Sequence, residues 1–181
     1  MHGDERNGSS HTEFDMNDPV HPHSPTTVLL IDDDPSTLLL CRTALEREGF
    51  IVLQAAGSSE ALKLQAEHPA AIHLVVTDVM LPPPGFQLSI PNNPFPRVNG
   101  LQLVDLLLDS ERTFRIIFIS TSTKEDLLAR GLLRADAPFL RKPFTTEAFS
   151  ALVSDTLAGP PAAKQSKKDG QATTKEVDWF G

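Results

Sequence analysis

Acidic residues follow two apolar segments of the chain and together could hold a metal ion. Asp78 follows residues 72–77, and three consecutive aspartates, residues 32–34, follow residues 28–31. If both segments are neighbouring parallel strands, their carboxyl ends place these carboxylates at one edge of a sheet. Carboxylates that close cannot all stay ionised without a cation, so the pattern predicts a hard divalent metal and a phosphate-handling site.

Two further polar residues follow apolar segments in the same way. Ser120 ends the segment 115–120, and Lys142 comes directly after the segment 138–141. A hydroxyl and an ammonium group both donate hydrogen bonds to phosphoryl oxygens. With Asp34 assigned to the cap of the following helix, the predicted set at this edge is three acids (Asp32, Asp33 and Asp78), one hydroxyl and one lysine, each at the end of a strand.

The elements that position these residues alternate between strand and helix patterns. The predicted strands span residues 28–31, 50–55, 72–77, 115–120 and 138–141. A first helix begins at Pro35 after an Asp34 cap and stops at Gly49. Further helices span residues 58–67, capped by Ser58 or Ser59, then residues 100–108 and 124–133, and a last helix runs from a cap at Thr145 or Thr146 to Leu157. Apolar strands joined by helices predict a doubly wound α/β fold with a five-stranded parallel sheet.

Size and charge narrow the classes of function. The chain has 181 residues and a net charge of −8, with no concentrated basic face, so we expect no nucleic-acid binding. One cysteine, Cys41, allows neither an internal disulfide nor a thiolate zinc site, which fits a reducing compartment. No signal-peptide core or membrane span is recognisable. These features predict a cytoplasmic protein without membrane contact.

The ends of the chain differ in composition from its middle. Residues 1–25 contribute −4 to the net charge and are polar, which predicts a disordered acidic leader. Residues 159–181 are a predicted disordered tail, in which Trp179-Phe180 are isolated apolar residues. This aromatic pair is either a docking motif or an incidental feature of a polar tail.

In the order and spacing of these motifs, residues 26–158 resemble the receiver domain of two-component response regulators. The matching pieces are Ile31-Asp32-Asp33-Asp34, Thr77-Asp78-Val79-Met80-Leu81-Pro82, Asn99-Gly100, Ile119-Ser120 and Lys142-Pro143-Phe144. The resemblance implies a flavodoxin-like sheet with strand order 2-1-3-4-5. Five pieces in order make a far stronger signal than any of them alone.

The resemblance also implies roles for the acidic residues. Asp78 corresponds to the carboxylate that is phosphorylated, and Asp32 and Asp33 correspond to the pair that holds Mg²⁺. The backbone carbonyl of Met80 would be a further ligand of the metal, as would Asp78. Mg²⁺ would neutralise the acids and draw phosphoryl oxygens to one face of the site.

Lys142, Ser120 and Phe139 receive roles from the same resemblance. Lys142 would pair with the acids and then with the acyl phosphate, while the Ser120 hydroxyl would donate to a phosphoryl oxygen. In the family, movement of that hydroxyl is coupled to an aromatic residue of the fifth strand, here Phe139. Since Phe139 has no phenolic hydroxyl, its inward position would depend on packing alone.

A receiver implies partners on both sides of its reaction. The expected donor is a histidine kinase or a histidine phosphotransfer protein. Only 24 residues follow Leu157, too few for an output domain, so we expect a stand-alone receiver that signals by protein contact. The expected contact surface comprises the fourth helix, fifth strand and fifth helix, residues 124–133, 138–141 and 145–157.

Two other classes of function remain as alternatives. A haloacid-dehalogenase-like phosphatase also uses a strand-end aspartate with Mg²⁺, but it needs a second aspartate two positions later, where this chain has Met80. We therefore expect no enzymatic turnover beyond transfer to the chain itself and loss of that phosphoryl group. The second alternative is an adapter that keeps the fold without being phosphorylated.

A proline-rich insert separates Asp78 from the Asn99-Gly100 pair. Residues 83–98 contain five prolines and one charged residue, Arg97, and follow the predicted acceptor by a few positions. Proline stiffens a loop and removes amide donors, so we expect neither a helix nor a strand there. The insert is either a semi-rigid flap that limits access to Asp78 or a tolerated surface loop.

Overall fold

Five parallel strands form the centre of the molecule. A computed structural model describes residues 25–68, 72–81, 98–109 and 113–162. Within these residues the strands lie in the order β2-β1-β3-β4-β5, which confirms the predicted fold and strand order. Their bounds are β1 Thr27–Ile31, β2 Ile51–Ala55, β3 Leu74–Asp78, β4 Arg115–Ser120 and β5 Phe139–Arg141.

Helices cover both faces of this sheet. In chain order they are α1 Pro35–Arg47, α2 Ser58–Glu67, α3 Gly100–Leu108, α4 Lys124–Ala129 and α5 Thr146–Ala158. The buried residues of α1 and α5 share one core cluster, whereas those of α2, α3 and α4 share the other. The right-handed connections of parallel strands require this two-sided arrangement.

The strands read as continuous apolar runs because they are buried on both faces. Leu30 and Val76 point to the cluster under α1 and α5, while Leu29 and Val75 point to the opposite cluster. All five residues of β3 are buried, including Thr77 and Asp78 at its end. A central strand with this packing provides a rigid support for the residue that ends it.

The fourth helix is shorter than the sequence pattern predicts. It ends at Ala129 rather than at residue 133, because Gly131 adopts a left-handed conformation with φ of 66°. The Gly131 amide donates to the Leu128 carbonyl at 3.0 Å, and the Leu132 amide donates to the Leu127 carbonyl at 2.8 Å. This Schellman motif closes the helix, and Leu133 is buried in the segment that follows.

The predicted serine cap of the second helix is also wrong. Gly57 is the N-cap of α2, and Ser58 is the first helical residue. The Ser58 hydroxyl instead accepts a hydrogen bond from the Val98 amide at 2.7 Å. The predicted caps of the first and last helices are confirmed, since Asp34 and Thr145 accept amide hydrogen bonds from Ser36 and Ala148.

Several predicted segments lie outside the described residues. They are residues 1–24 of the predicted leader, residues 83–97 of the insert, and residues 163–181 of the predicted tail. Residues 159–162 are described, and the Ala162 amide donates to the Phe114 carbonyl at 2.8 Å. No helix in the described part of the chain has the length and apolar character needed to cross a membrane. The cytoplasmic location and the domain boundaries remain predictions.

Candidate functional site

The sheet brings three carboxylates together at the carboxyl ends of β1 and β3. Ile31 pairs with Thr77, so Asp32 and Asp78 follow at neighbouring positions of adjacent strands. Asp32 and Asp78 are buried, whereas Asp33 is exposed. One oxygen from each of these three residues lies within 4.8 Å of the others. The arrangement agrees with the predicted acidic cluster.

Asp32 is the most deeply buried acid of this cluster. Its Oδ1 accepts a hydrogen bond from the Asp34 amide at 2.9 Å. Its Oδ2 lies 2.6 Å from Nζ of Lys142, but within the described residues it has no well-aligned hydrogen-bond donor. Burial raises the pKa of Asp32 above its ordinary value, against the opposing effect of Lys142. Lys142 is therefore the close cation that offsets part of the cost of burying this carboxylate.

Asp78 is held in one orientation by two donors. The Met80 amide donates to its Oδ1 at 2.7 Å, and Nζ of Lys142 donates to its Oδ2 at 2.6 Å. The Met80 contact bends the chain back over the carboxylate directly after β3. The predicted role of the Met80 carbonyl as a metal ligand remains a prediction.

Lys142 reaches the cluster from the end of β5. Its backbone amide donates to the Ser120 carbonyl at 2.7 Å, which continues the pairing of β4 and β5. Burial lowers the pKa of Lys142, but hydrogen bonds and the charges of Asp32 and Asp78 outweigh this effect and hold it above its ordinary value. One ammonium against three ionised carboxylates leaves a local charge of −2, which a divalent cation would balance.

Ser120 is the last residue of β4, and Phe139 is the first residue of the neighbouring β5. Ser120 is fully buried, and its Oγ accepts a hydrogen bond from the Ser122 amide at 3.2 Å. Phe139 is half-buried, lies opposite Phe118 in the sheet, and packs against the core on the side of α2, α3 and α4. Both residues have positions compatible with their predicted roles, which stay predictions.

Sequence reasoning missed why Gly100 follows Asn99. The Asn99 side chain accepts from the Gln102 amide, and the Gln102 side chain accepts from the Asn99 amide, which forms a capping box at the start of α3. At Gly100 a Cβ atom would overlap the carbonyl oxygen of Asp78. The Asn-x-x-Gln spacing was a readable signal of the cap. The close approach of α3 to Asp78 depends on tertiary structure and had no signal in the sequence.

Replacing Gly100 with alanine is therefore expected to lower the free energy of unfolding by about 1–3 kcal/mol. The Cβ atom would meet backbone, which cannot rotate away as a flexible side chain can. Urea unfolding measures the loss. In the control Gly57→Ala, the added Cβ meets nothing within 4 Å, so a loss below about 1 kcal/mol is expected. Equal losses in the two variants would contradict the proposed clash.

Curated proteins of two kinds are similar to this chain. The alkaline phosphatase synthesis transcriptional regulatory protein PhoP of Bacillus subtilis (strain 168) is 27% identical over 151 residues, which cover 80% of this chain and 56% of PhoP. Sensor kinase CckA of Brucella abortus (strain 2308) is 31% identical over 133 residues, which cover 72% of this chain and 12% of CckA. The chain thus spans about half the length of PhoP and a small part of CckA.

Solved structures share the fold. A response regulator receiver protein from Sinorhizobium medicae WSM419 is 26% identical with a TM-score of 0.56, and the match covers 75% of this chain and 96% of that one. A response regulator from Thermotoga maritima is 22% identical with a TM-score of 0.57, covering 75% of this chain and 100% of that one. The second likeness concerns the fold alone.

The family comparison covers most of the described chain. The model of the response regulator receiver domain matches residues 28–154. This range begins in β1, ends in α5, and includes every residue of the acidic cluster together with Ser120, Phe139 and Lys142. From its motifs, its strand order and this match, the chain belongs to the response regulator receiver domain family.

Proposed function

We propose that this protein accepts a phosphoryl group on Asp78 from a histidine kinase or a histidine phosphotransfer protein, in a Mg²⁺-dependent reaction. The observation that supports this most directly is the position of Asp78. Its carboxylate is oriented by the Met80 amide and Lys142 and lies beside two other acids at the end of a buried strand. Membership of the family indicates the type of reaction, and the geometry of the site supports Asp78 as the acceptor.

The residues present fit a divalent cation. Asp32, Asp33 and Asp78 would hold it, with the Met80 carbonyl as the further predicted ligand. When bound, Mg²⁺ offsets the negative charge of the acids and of the incoming phosphoryl oxygens. The structural feature that supports this assignment is the close approach of three carboxylates, with Lys142 as the cation beside Asp32 and Asp78.

The transfer step needs a nucleophile and a means of stabilising charge. A carboxylate oxygen of Asp78 attacks the phosphorus of phosphohistidine, the P–N bond breaks, and the imidazole nitrogen leaves with the electron pair. Lys142 stays protonated throughout and forms an ion pair with the new acyl phosphate. The Ser120 hydroxyl donates a hydrogen bond to a phosphoryl oxygen after a small movement away from its contact with the Ser122 amide.

Output is proposed to occur through contact with another protein. Movement of Ser120 toward the phosphoryl group would leave space beside β5, and Phe139 lies on that strand opposite Phe118, two residues before Ser120. The surface formed by α4, β5 and α5 would then change its shape. The similar proteins include a transcriptional regulatory protein and a sensor kinase, so they do not indicate a single kind of output. The proposal therefore concerns only the reaction of the receiver domain itself.

The test is incubation of the full chain with Mg²⁺ and acetyl phosphate, followed by intact mass measurement and peptide mapping. One added phosphoryl group on the peptide that contains Asp78 is the expected result. No modification with acetyl phosphate, combined with no response to beryllofluoride, would favour the unphosphorylated adapter. Steady hydrolysis of a generic phosphomonoester would favour the phosphatase, which Met80 at the acid/base position argues against.

Mg²⁺ is expected to stabilise the folded protein in the absence of any phosphodonor. At a concentration tenfold above the dissociation constant, the gain in free energy of unfolding is about 1.4 kcal/mol. Differential scanning calorimetry with and without excess EDTA measures it. The double variant Asp32→Asn/Asp33→Asn should lose this gain, whereas Asp105→Asn/Glu67→Gln, with exposed acids outside the cluster, should keep it. A gain that persists in the first variant would place the cation elsewhere.

A further inference from the structure

We propose that a cleft at the amino end of β4 binds residues 177–180 of the same chain, Val177-Asp178-Trp179-Phe180. This inference concerns the edge of the sheet opposite Asp78 and does not depend on phosphorylation. It joins a cleft of suitable chemistry with a segment whose side chains complement it.

The cleft has the size and lining of a binding site. It encloses about 570 Å³ between α3, the start of β4, the segment before β5 and the end of α5. This volume falls in the range of roughly 300–1,000 Å³ that is usual for sites that bury a small ligand. Its apolar wall is formed by Val104, Leu108, Ile116, Phe118, Leu152 and Pro161. A wall of this kind is suited to aromatic side chains.

Arg115 is the polar group of the cleft that a ligand can reach. Arg115 is half-buried, its Nε donates to the Gly159 carbonyl at 2.8 Å, and its terminal amino groups have no hydrogen-bond acceptor in the described ranges. Thr156 is 9% exposed, and its Oγ1 is buried without a hydrogen-bond partner among the same residues. Because Oγ1 of Thr156 is buried beneath the surface of the cleft, Arg115 is the polar group that a ligand would contact.

The other charged residues of the cleft are exposed. Arg134 and Asp136 are exposed and pair with each other at 2.9 Å. Asp155 is exposed at the rim. Arg115 is therefore the cleft's available cation, and an acidic ligand with apolar groups beside the acid would match it.

Residues 177–180 have this composition. Asp178 offers a carboxylate for Arg115, and Trp179 and Phe180 offer aromatic surface for the apolar wall. The segment thus provides a carboxylate for Arg115 and an aromatic surface for the apolar wall.

The chain leaves the described fold directly at the cleft. Ala162 is part of the lining, and fourteen residues, 163–176, separate it from Val177. A polar linker of that length has a root-mean-square span of roughly 20 Å, which is enough to turn back into the cleft. A tether this short produces a millimolar effective concentration, so even a weak site would be occupied.

Trp179 provides a direct test because it is the only tryptophan in the chain. In the full-length protein we expect its fluorescence emission to be blue-shifted, and its quenching by acrylamide reduced, relative to the urea-unfolded protein. Arg115→Met and Asp178→Asn should each raise the undocked fraction about fivefold. The double variant should add no more than either single change. Asp178→Asn removes no contact of the described fold, so its effect would not reflect unfolding.

Arg130→Met is the matched control, since Arg130 is exposed and lies outside the cleft. Its emission and quenching should match those of the wild type. Emission typical of a solvent-exposed indole in the wild type would overturn the proposal. So would a buried indole that responds to neither Arg115→Met nor Asp178→Asn. A blue shift that disappears on dilution would assign the cleft to a second copy of the chain and overturn binding within one chain.

Discussion

Replacing Asp78 with asparagine is expected to lower the rate of phosphorylation by acetyl phosphate by about 10³-fold or more, so that no phosphorylated protein is detected. The amide is not a nucleophile toward phosphorus, and it removes one of the three carboxylates that would hold Mg²⁺. Asparagine nevertheless has nearly the same shape, and its Oδ1 can still accept from the Met80 amide. The amide NH2 group cannot accept from Lys142, which keeps Asp32 as its partner, so the fold should be retained at some cost in stability, as circular dichroism and urea unfolding would verify.

Asp105→Asn is the control for this variant, because Asp105 is an exposed aspartate on α3, away from the acidic cluster. It removes the same charge and should leave the rate unchanged. Intact mass measurement over a time course gives both rates. Unchanged phosphorylation of Asp78→Asn would show that another residue is the acceptor, and peptide mapping would then identify it.

The fold could be predicted because a strand that is buried on both faces has consecutive apolar residues in the sequence. All residues of β3 are buried, and the residues before Thr77 and Asp78 in this strand are all apolar. The end of α4 could not be predicted as easily. Leu132 and Leu133 continue the helical pattern, whereas the Schellman motif depends on the left-handed conformation of Gly131.

The residues of the candidate site could be predicted from the sequence, but the distances and contacts between them could not. Strand ends and the resemblance to receivers identified Asp32, Asp78 and Lys142, and the sheet places the lysine 2.6 Å from both acids. The exposure of Asp33 and the incomplete hydrogen bonding of Asp32 Oδ2 depend on how the loop after β1 turns. The contact of Gly100 with the Asp78 carbonyl joins two parts of the chain across the insert. No local pattern contains such information.

Replacing Lys142 with methionine is expected to lower the free energy of unfolding at neutral pH, without Mg²⁺, by about 2–4 kcal/mol. The substitution keeps most of the aliphatic stem but removes the cation between Asp32 and Asp78, and Asp32 would be left as a buried charge with no counter-ion. The difference from the wild type should shrink as pH falls through the pKa of Asp32, which burial raises above 3.8. It should also shrink as pH rises through the pKa of Lys142, which lies above 10.5, because the wild type then loses its ammonium charge.

The same variant should bind Mg²⁺ about tenfold more tightly, because a positive charge next to the acids no longer repels the ion. Isothermal titration calorimetry measures the affinity, and urea unfolding in saturating Mg²⁺ should show that the cation restores part of the lost stability. Phosphorylation should nevertheless remain slow, since Mg²⁺ cannot take the place of the ammonium contact with Asp78 Oδ2. Lys63→Met is the control, because it removes the same charge from an exposed side chain whose acidic neighbour Glu67 lies at 3.7 Å. If Lys142→Met weakened Mg²⁺ binding, the lysine would be positioning the metal ligands and not competing with the cation for them.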